Sequence, residues 1–308
     1  MISARGLSKY YGDKKALDNV SFDILPGKVT GFVGPNGAGK STTMRLMVGL
    51  DHPSSGEVTI DGKPFAQHAA PMSVVGALLD AKGVHPGRTA RSHLRALAAT
   101  HRIEKQRVEQ VLEMTGLTEV AEKRVGGFSL GMGQRLGIAA ALLGDPKALI
   151  LDEPVNGLDP DGVMWVRHFV REQASMGKTV LLSSHLMSEM AQTADHVIVI
   201  GRGKIVADVP MEDLLEGVAP RVRVASPEAT RLVSVLQAME PSAFSGELTI
   251  NLEDSNTLTV QGAAANQIGA VCLQKNIELH ELTPIKGSLE DAYLSLTRTE
   301  VEYQAMAE

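Results

Sequence analysis

Residues 34–42 read Gly34-Pro35-Asn36-Gly37-Ala38-Gly39-Lys40-Ser41-Thr42, preceded by the apolar run Val29-Thr30-Gly31-Phe32-Val33. A short buried strand, a glycine-rich turn and a helix (Ser41 to about Val48) in immediate succession constrain the fold more than anything else in the chain. A strand apolar on both faces belongs in a parallel sheet covered by helices. The turn has the spacing G-x-x-x-x-G-K-[ST], the phosphate-binding P-loop. Gly34, Gly37 and Gly39 let the backbone turn tightly and bring N–H groups to phosphate oxygens, with Pro35, Asn36 and Ala38 between them. Lys40 places a positive charge on the outer phosphates, and Ser41, followed by Thr42, offers a hydroxyl to Mg²⁺. The N-terminus of the helix that opens there also favours an anion.

Composition removes several alternatives. The 308 residues are 44% hydrophobic and 21% charged, enough for one large domain and a small one. The net charge of −6 supplies no global basic field for nucleic acid. One cysteine, Cys272, cannot form an internal disulfide and reads as a small buried apolar residue. The segment Met1–Gly6 lacks a signal-peptide run, and no stretch has the roughly 20 apolar residues that cross a bilayer. The nearest, Leu136–Leu151, is broken by Gly144-Asp145-Pro146-Lys147. A membrane role therefore requires a partner.

The first part of the chain reads as β-rich: Ser21–Ile24 and Glu57–Ile60 alternate apolar and polar, with turns at Pro26-Gly27 and Asp61-Gly62. From about Thr89 to Leu143 the period becomes helical; Leu94, Leu97 and Ala98 share one face, as do Val108, Val111, Leu112 and Thr115. Lys147–Leu151 and Thr179–Ser184 read as buried strands, Gly162–Met176 as an amphipathic helix, and His196–Ile200 with Lys204–Val206 as a hairpin. Composition shifts at Glu216-Gly217-Val218-Ala219-Pro220. Beyond it, strand-like pieces (Arg221–Val224, Leu248–Leu252, Thr257–Val260, Ile277–Glu281) alternate with helical ones (Pro227–Met239, Ala264–Lys275, Ser288–Thr297), which predicts a small two-layer α+β domain.

A P-loop alone leaves kinases, GTPases and many ATPases open. Four further motifs follow in order. Ala148-Leu149-Ile150-Leu151-Asp152-Glu153 is an apolar strand delivering two acids to its C-terminal end, which is costly unless a cation or proton chemistry uses them. Phe128-Ser129-Leu130-Gly131-Met132-Gly133-Gln134-Arg135 fits a Ser-capped helix. Asn156-Gly157-Leu158-Asp159-Pro160 is a loop with Pro160 opening a helix. His185 follows the strand Val180–Ser184, where a histidine is structural or a switch.

In this order the residues resemble the ABC transporter ATPase subunits over about residues 2–216. The resemblance implies a fold class of α/β, a P-loop NTPase ABC ATPase domain (RecA-like core, antiparallel β subdomain, helical subdomain at about 84–145) over 1–216. A small C-terminal α+β accessory domain would fill 217–308. It also implies roles. Asp152 and Ser41 would hold Mg²⁺. Glu153 would act on the attacking water and His185 would contact the γ-phosphate. Ser129, with Gly131, would bind ATP held by a second copy of the chain, and Tyr11 would stack on adenine, although packing at a strand edge suits Tyr11 equally. Only Ser129 and Gly131 match among the five signature positions. The family usually carries glutamine six residues ahead of a proline before the helical subdomain; here that position, ahead of Pro86, is Asp80, an acid that can approach Mg²⁺ but cannot donate as an amide does.

Asp80, the Leu-Gly-Met signature and the closing segment Gly287–Leu294 resemble a bacterial subgroup linked to export of antibiotics and peptides. The expectation is an ATPase powering a separate membrane permease, cytoplasmic and peripheral on the inner membrane face, using ATP and Mg²⁺, working as a homodimer and binding no nucleic acid. The permease would contact residues near 80–130. An ABC ATPase acting on ribosomes or nucleic acid, a P-loop nucleotide kinase and a regulatory nucleotide-binding module are the rival readings.

Overall fold

The structure is a computed structural model describing residues 1–80, 83–216, 221–239, 244, 248–285 and 288–297. The composition shift at 217–220, Lys82, Gly287 and residues 298–308 lie outside the described residues. The chain divides into two compact units, Met1–Met211 with Ser295–Glu308, and Glu212–Leu294.

The first unit opens with β1 (Ile2–Tyr11), β2 (Lys14–Ile24), β3 (Val29–Val33), α1 (Lys40–Met47) and β4 (Ser55–Ile60). Strands β2, β1 and β4 form an antiparallel sheet. Its register sets Ile2 opposite both Ile24 and Ile60, and all three are buried on the core side. That is what period-2 alternation in half-buried strands produces. The chain continues through α2 (Pro71–Val74), β5 (Val75–Leu78), α3 (Ala90–Thr100), α4 (Lys105–Met114) and α5 (Leu130–Leu142). Leu94 and Ala98 of α3 bury with Val108, Val111 and Leu112 of α4, while Leu97 stays half-buried. Then come β6 (Ala148–Leu151), α6 (Pro160–Ser175), β7 (Thr179–Ser184), α7 (Met187–Thr193), β8 (His196–Gly201) and β9 (Lys204–Pro210).

The second sheet runs β5-β6-β7-β3-β8-β9, parallel except for β9, which returns from β8 as the expected hairpin. Every residue of β3, β6 and β7 is buried, as a strand covered on both faces demands. Because β7 lies between β3 and β6, the loops leaving these three strands emerge side by side at one edge, where ligands bind in open α/β sheets. Helix α5 backs directly on β5. A Cβ on Gly76 would stand 1.9 Å from the carbonyl oxygen of Ala141, and one on Gly137 2.5 Å from Leu78 Cδ1. The missing side chains are what let helix and strand approach.

After α8 (Met211–Glu216), the second unit contains β10 (Arg221–Ala225), α9 (Ala229–Gln237), β11 (Thr249–Leu252), β12 (Thr257–Gln261), α10 (Ala265–Lys275) and β13 (Glu281–Ile285), followed by α11 (Leu289–Thr297). The antiparallel order β11-β12-β10-β13 is the split βαβ arrangement of ferredoxin-like domains. Val222, Val224, Leu258 and Val260 bury with Leu232 and Leu236 of α9 and Ile268, Val271 and Cys272 of α10. Burial pushes the Cys272 thiol above its ordinary value, as for a structural cysteine. The strand expected at Ile277–Glu281 is displaced: Ile277 is a buried loop residue, and β13 begins at Glu281. Among the described residues no helix is long and apolar enough to cross a membrane.

Candidate active site

The P-loop leaves β3 and enters α1 at Lys40. Gly39 holds φ +112°, and a Cβ there would stand 2.7 Å from Leu17 Cδ2 and 2.8 Å from the carbonyl oxygen of Ala16. Gly34 is pressed against the carbonyl oxygen of Ile200, 2.3 Å from where its Cβ would be. Gly37 turns at φ +82°, Pro35 is half-buried and Asn36 exposed, and Ala38 is buried. Lys40 is 6% exposed and its Nζ donates to the carbonyl oxygens of Gly34 (2.7 Å) and Pro35 (3.2 Å). An ammonium has three N–H groups, so one has no partner among the described residues. Burial pushes its pKa down, and the carboxylates of Glu153 and Asp152 pull it back up. The lysine of one motif and the acids of another thus share a single electrostatic site. Ser41 is exposed and Thr42 half-buried in the first turn of α1.

The acids leave β6. Asp152 N donates to the carbonyl oxygen of Leu78 (2.7 Å), which ties them to the loop carrying Asp80. Glu153 sits at φ +51°, a backbone region that costs a non-glycine residue about 1–3 kcal/mol. Two bonds hold it there: Glu153 N donates to Ser183 Oγ (2.9 Å), and Asn156 N to the carbonyl oxygen of Glu153 (3.1 Å). The fully buried Ser183 hydroxyl also donates to Asp152 Oδ1, so one side chain fixes both acids. His185, exposed at the end of β7, is hydrogen-bonded through Nδ1 to Glu153 Oε2. A cleft of about 240 Å³ lies here, lined by Leu79, Asp80, Leu130, Gln134, Asp152, Glu153 and Asn156.

Ser129 caps α5, its Oγ accepting from Met132 N at 3.2 Å, and is itself exposed. Leu130 packs on the loop after the acids: a Cβ on Gly157 would stand 2.1 Å from Leu130 Cδ2. Gly131 lies against Leu158 of that loop, and Asp159 caps α6 through Gly162 N (3.0 Å). Tyr11 ends β1 with its ring exposed, one face under Lys9 Nζ at 4.9 Å. Its hydroxyl donates to Asp51 Oδ2 (2.7 Å), and Arg45 Nε donates to the same oxygen (2.8 Å). Partial desolvation of the hydroxyl end of this otherwise exposed ring, then Asp51, raises the Tyr11 pKa.

The structure therefore brings Lys40, Asp152, Glu153 and His185 to one sheet edge, places Asp80 in the cleft beside the acids, and sets Tyr11 with α1. Gly131 is placed against the loop at Leu158, and Ser129 is exposed at the cap of α5. Ser183 and Asp51 were not singled out from the sequence. Ser183 had one available signal, a hydroxyl at the end of an apolar strand.

The ABC transporter family model matches residues 17–156, and a domain of unknown function (DUF8746) matches residues 220–290. An uncharacterized ABC transporter ATP-binding protein of Bacillus subtilis (strain 168), YdbJ, is 34% identical over 307 residues, covering 98% of this chain and 97% of that protein. The chain belongs to the ABC transporter ATP-binding family. The bacitracin transport ATP-binding protein BcrA of Bacillus licheniformis is 41% identical over 217 residues, covering 70% of this chain and 71% of that one. The dimeric structure of MJ0796, a bacterial ABC transporter cassette, superposes with a TM-score of 0.63 at 25% identity, over 68% of this chain and 99% of that one.

As a member of this family the chain is the ATP-binding, ATP-hydrolysing subunit of an ABC transporter. ABC cassettes form dimers and pair with membrane permease subunits.

Proposed function

We propose that two copies of the chain sandwich two ATP molecules, each between the P-loop of one copy and Ser129 and Gly131 of the other. Hydrolysis drives a separate permease that exports an antibiotic, drug or peptide, with the chain held at the inner membrane face by that permease. The observation that supports this most is the buried Lys40 ammonium at the same sheet edge as Asp152 and Glu153, its pKa lowered by burial and raised by their carboxylates. A buried cation, two acids and a turn of close-set backbone N–H groups suit a polyphosphate and a divalent ion.

Residues 34–42 cradle the phosphates, with the remaining N–H of Lys40 for an outer oxygen. Glu153 orients and polarises the attacking water, and His185, already bonded to Glu153, fixes its geometry. The Tyr11 ring offers a face to adenine. Ser41, Asp152 and Asp80 are all oxygen donors, the set that a hard cation such as Mg²⁺ takes. Mg²⁺ held by these residues would supply neutralisation of phosphate charge in the loose phosphoryl transition state. The chain contributes positioning and charge. The likeness to a bacitracin transport protein supports an antibiotic cargo. Residues 217–308 form an accessory domain in this reading, and the permease contact lies near 80–130.

Glu153→Gln keeps the geometry and removes the base. The expected outcome is retained ATP binding, loss of hydrolysis and an ATP-dependent dimer in light scattering; turnover at the parent rate overturns the role of Glu153. Recovery of a membrane permease with the tagged chain from solubilised membranes supports the transport role. Recovery of ribosomes or nucleic acid alone overturns it.

A further inference from the structure

Gln134 lies in the second turn of α5 and is 8% exposed. Its Oε1 is shut off from solvent and has no hydrogen-bond partner among the described residues. Buried carbonyls are nearly always paired, so this one calls for a partner. The residue lines the cleft that also holds Asp80, Asp152 and Glu153. An amide carbonyl and carboxylate oxygens are all acceptors, and none of them satisfies another. What completes such a set is a donor or a cation. A hydrated divalent cation is both: its charge meets the carboxylates, and its waters donate to the carbonyl.

We propose that Gln134 is a positioning residue for the magnesium–nucleotide site, its side chain turning within the cleft so that Oε1, closed to solvent in this conformation, accepts a hydrogen bond from a metal-bound water. The inference rests on the reading of Asp152 as a metal ligand. Outer partners of this kind orient a metal's ligands and tune its affinity. Gln134 is carried by the helix that Ser129 caps and that backs on β5, the strand leading to Asp80. One hydrogen bond would therefore link metal occupancy at the nucleotide to the helix that presents the signature to the second copy.

The test uses the full chain carrying Glu153→Gln, so that binding is read without turnover. ATP affinity is measured in Mg²⁺ and in EDTA, and the ratio of the two is the magnesium linkage. Adding Gln134→Leu should lower that ratio about tenfold and leave the affinity in EDTA unchanged. Gln134→Glu, which keeps an acceptor oxygen at the same place, should retain the ratio. Gln134→Met keeps the length without the oxygen and gives the same readout if leucine is not tolerated. An unchanged ratio in both apolar variants overturns the proposal. So does an equal loss with and without magnesium, which a purely structural role gives. If Glu153→Gln alone shows no magnesium linkage, the reading of the metal site fails first, whatever Gln134 does.

Discussion

At the scale of single residues, the hydrolytic reading depends on a hydroxyl. Ser183 donates to Asp152 and accepts from the backbone N–H of Glu153, which is held at positive φ. Ser183→Ala removes both bonds and leaves a part-buried N–H unpaired, a loss of about 1–3 kcal/mol. The expected outcome is a lower kcat with ATP affinity little changed, because the P-loop contacts are untouched; steady-state kinetics beside equilibrium binding checks this. That the P-loop, Asp152, Glu153 and His185 follow buried strands was legible in the sequence, because each comes directly after its apolar run. Ser183 was not. Its role arises from parallel pairing, which sets Leu182 opposite Leu151 and so brings the next residue level with the acids. No pattern along one strand encodes what the neighbouring strand carries.

Asp51 adds a titration at the same scale. Hydrogen bonds from Arg45 and then Tyr11 bring its carboxyl down from 3.8 to about 2. The folded chain therefore binds fewer protons than the unfolded one between these values. The stability Asp51 contributes is complete above pH 3.8 and is lost as pH falls through about 2. Asp51→Asn should cost about 1 kcal/mol or less at neutral pH, since the pair with Arg45 is partly exposed. The gap from the parent should close across that acid window in denaturant titrations; a gap independent of pH would show that packing, not charge, carries the effect.

At the scale of elements, the seat of α5 on β5 joins the signature helix to the strand before Asp80. A methyl group at Gly76 cannot fit 1.9 Å from the Ala141 carbonyl oxygen without moving the helix. Gly76→Ala should therefore destabilise by about 1–3 kcal/mol. It should also lower ATP turnover although residue 76 touches none of the reacting groups. Thermal melting and turnover measured together test this, and a parent-like melting temperature would contradict the packing argument. Element type was readable wherever period and burial coincided, as in β3, β6 and α4. It failed at β13 for a physical reason. Ile277-Glu278-Leu279 alternates like a strand, and Ile277 does bury, yet it does so from a loop. The true strand contains Pro284, which reads against a strand by rule but is tolerated because β13 is at the sheet edge.

At the scale of the whole molecule, each of the two compact units has a core of its own. One surrounds the nucleotide edge, and the other closes a ferredoxin-like sheet, a fold that does not by itself name a task. In the proposed dimer the active site is shared between two copies, with Lys40 in one and Ser129 in the other. In a symmetric pair each copy lends its signature to its partner. Lys40→Ala and Ser129→Arg should each abolish hydrolysis in a pure preparation, because every site then carries one defect. In a heterodimer of the two, both defects fall in one site and the other is intact. Mixed in equal amounts, the variants should regain about a quarter of the parent ATPase rate if dimers form at random and sites act independently. A mixture as inactive as its components, with heterodimers shown to be present, would contradict a shared site.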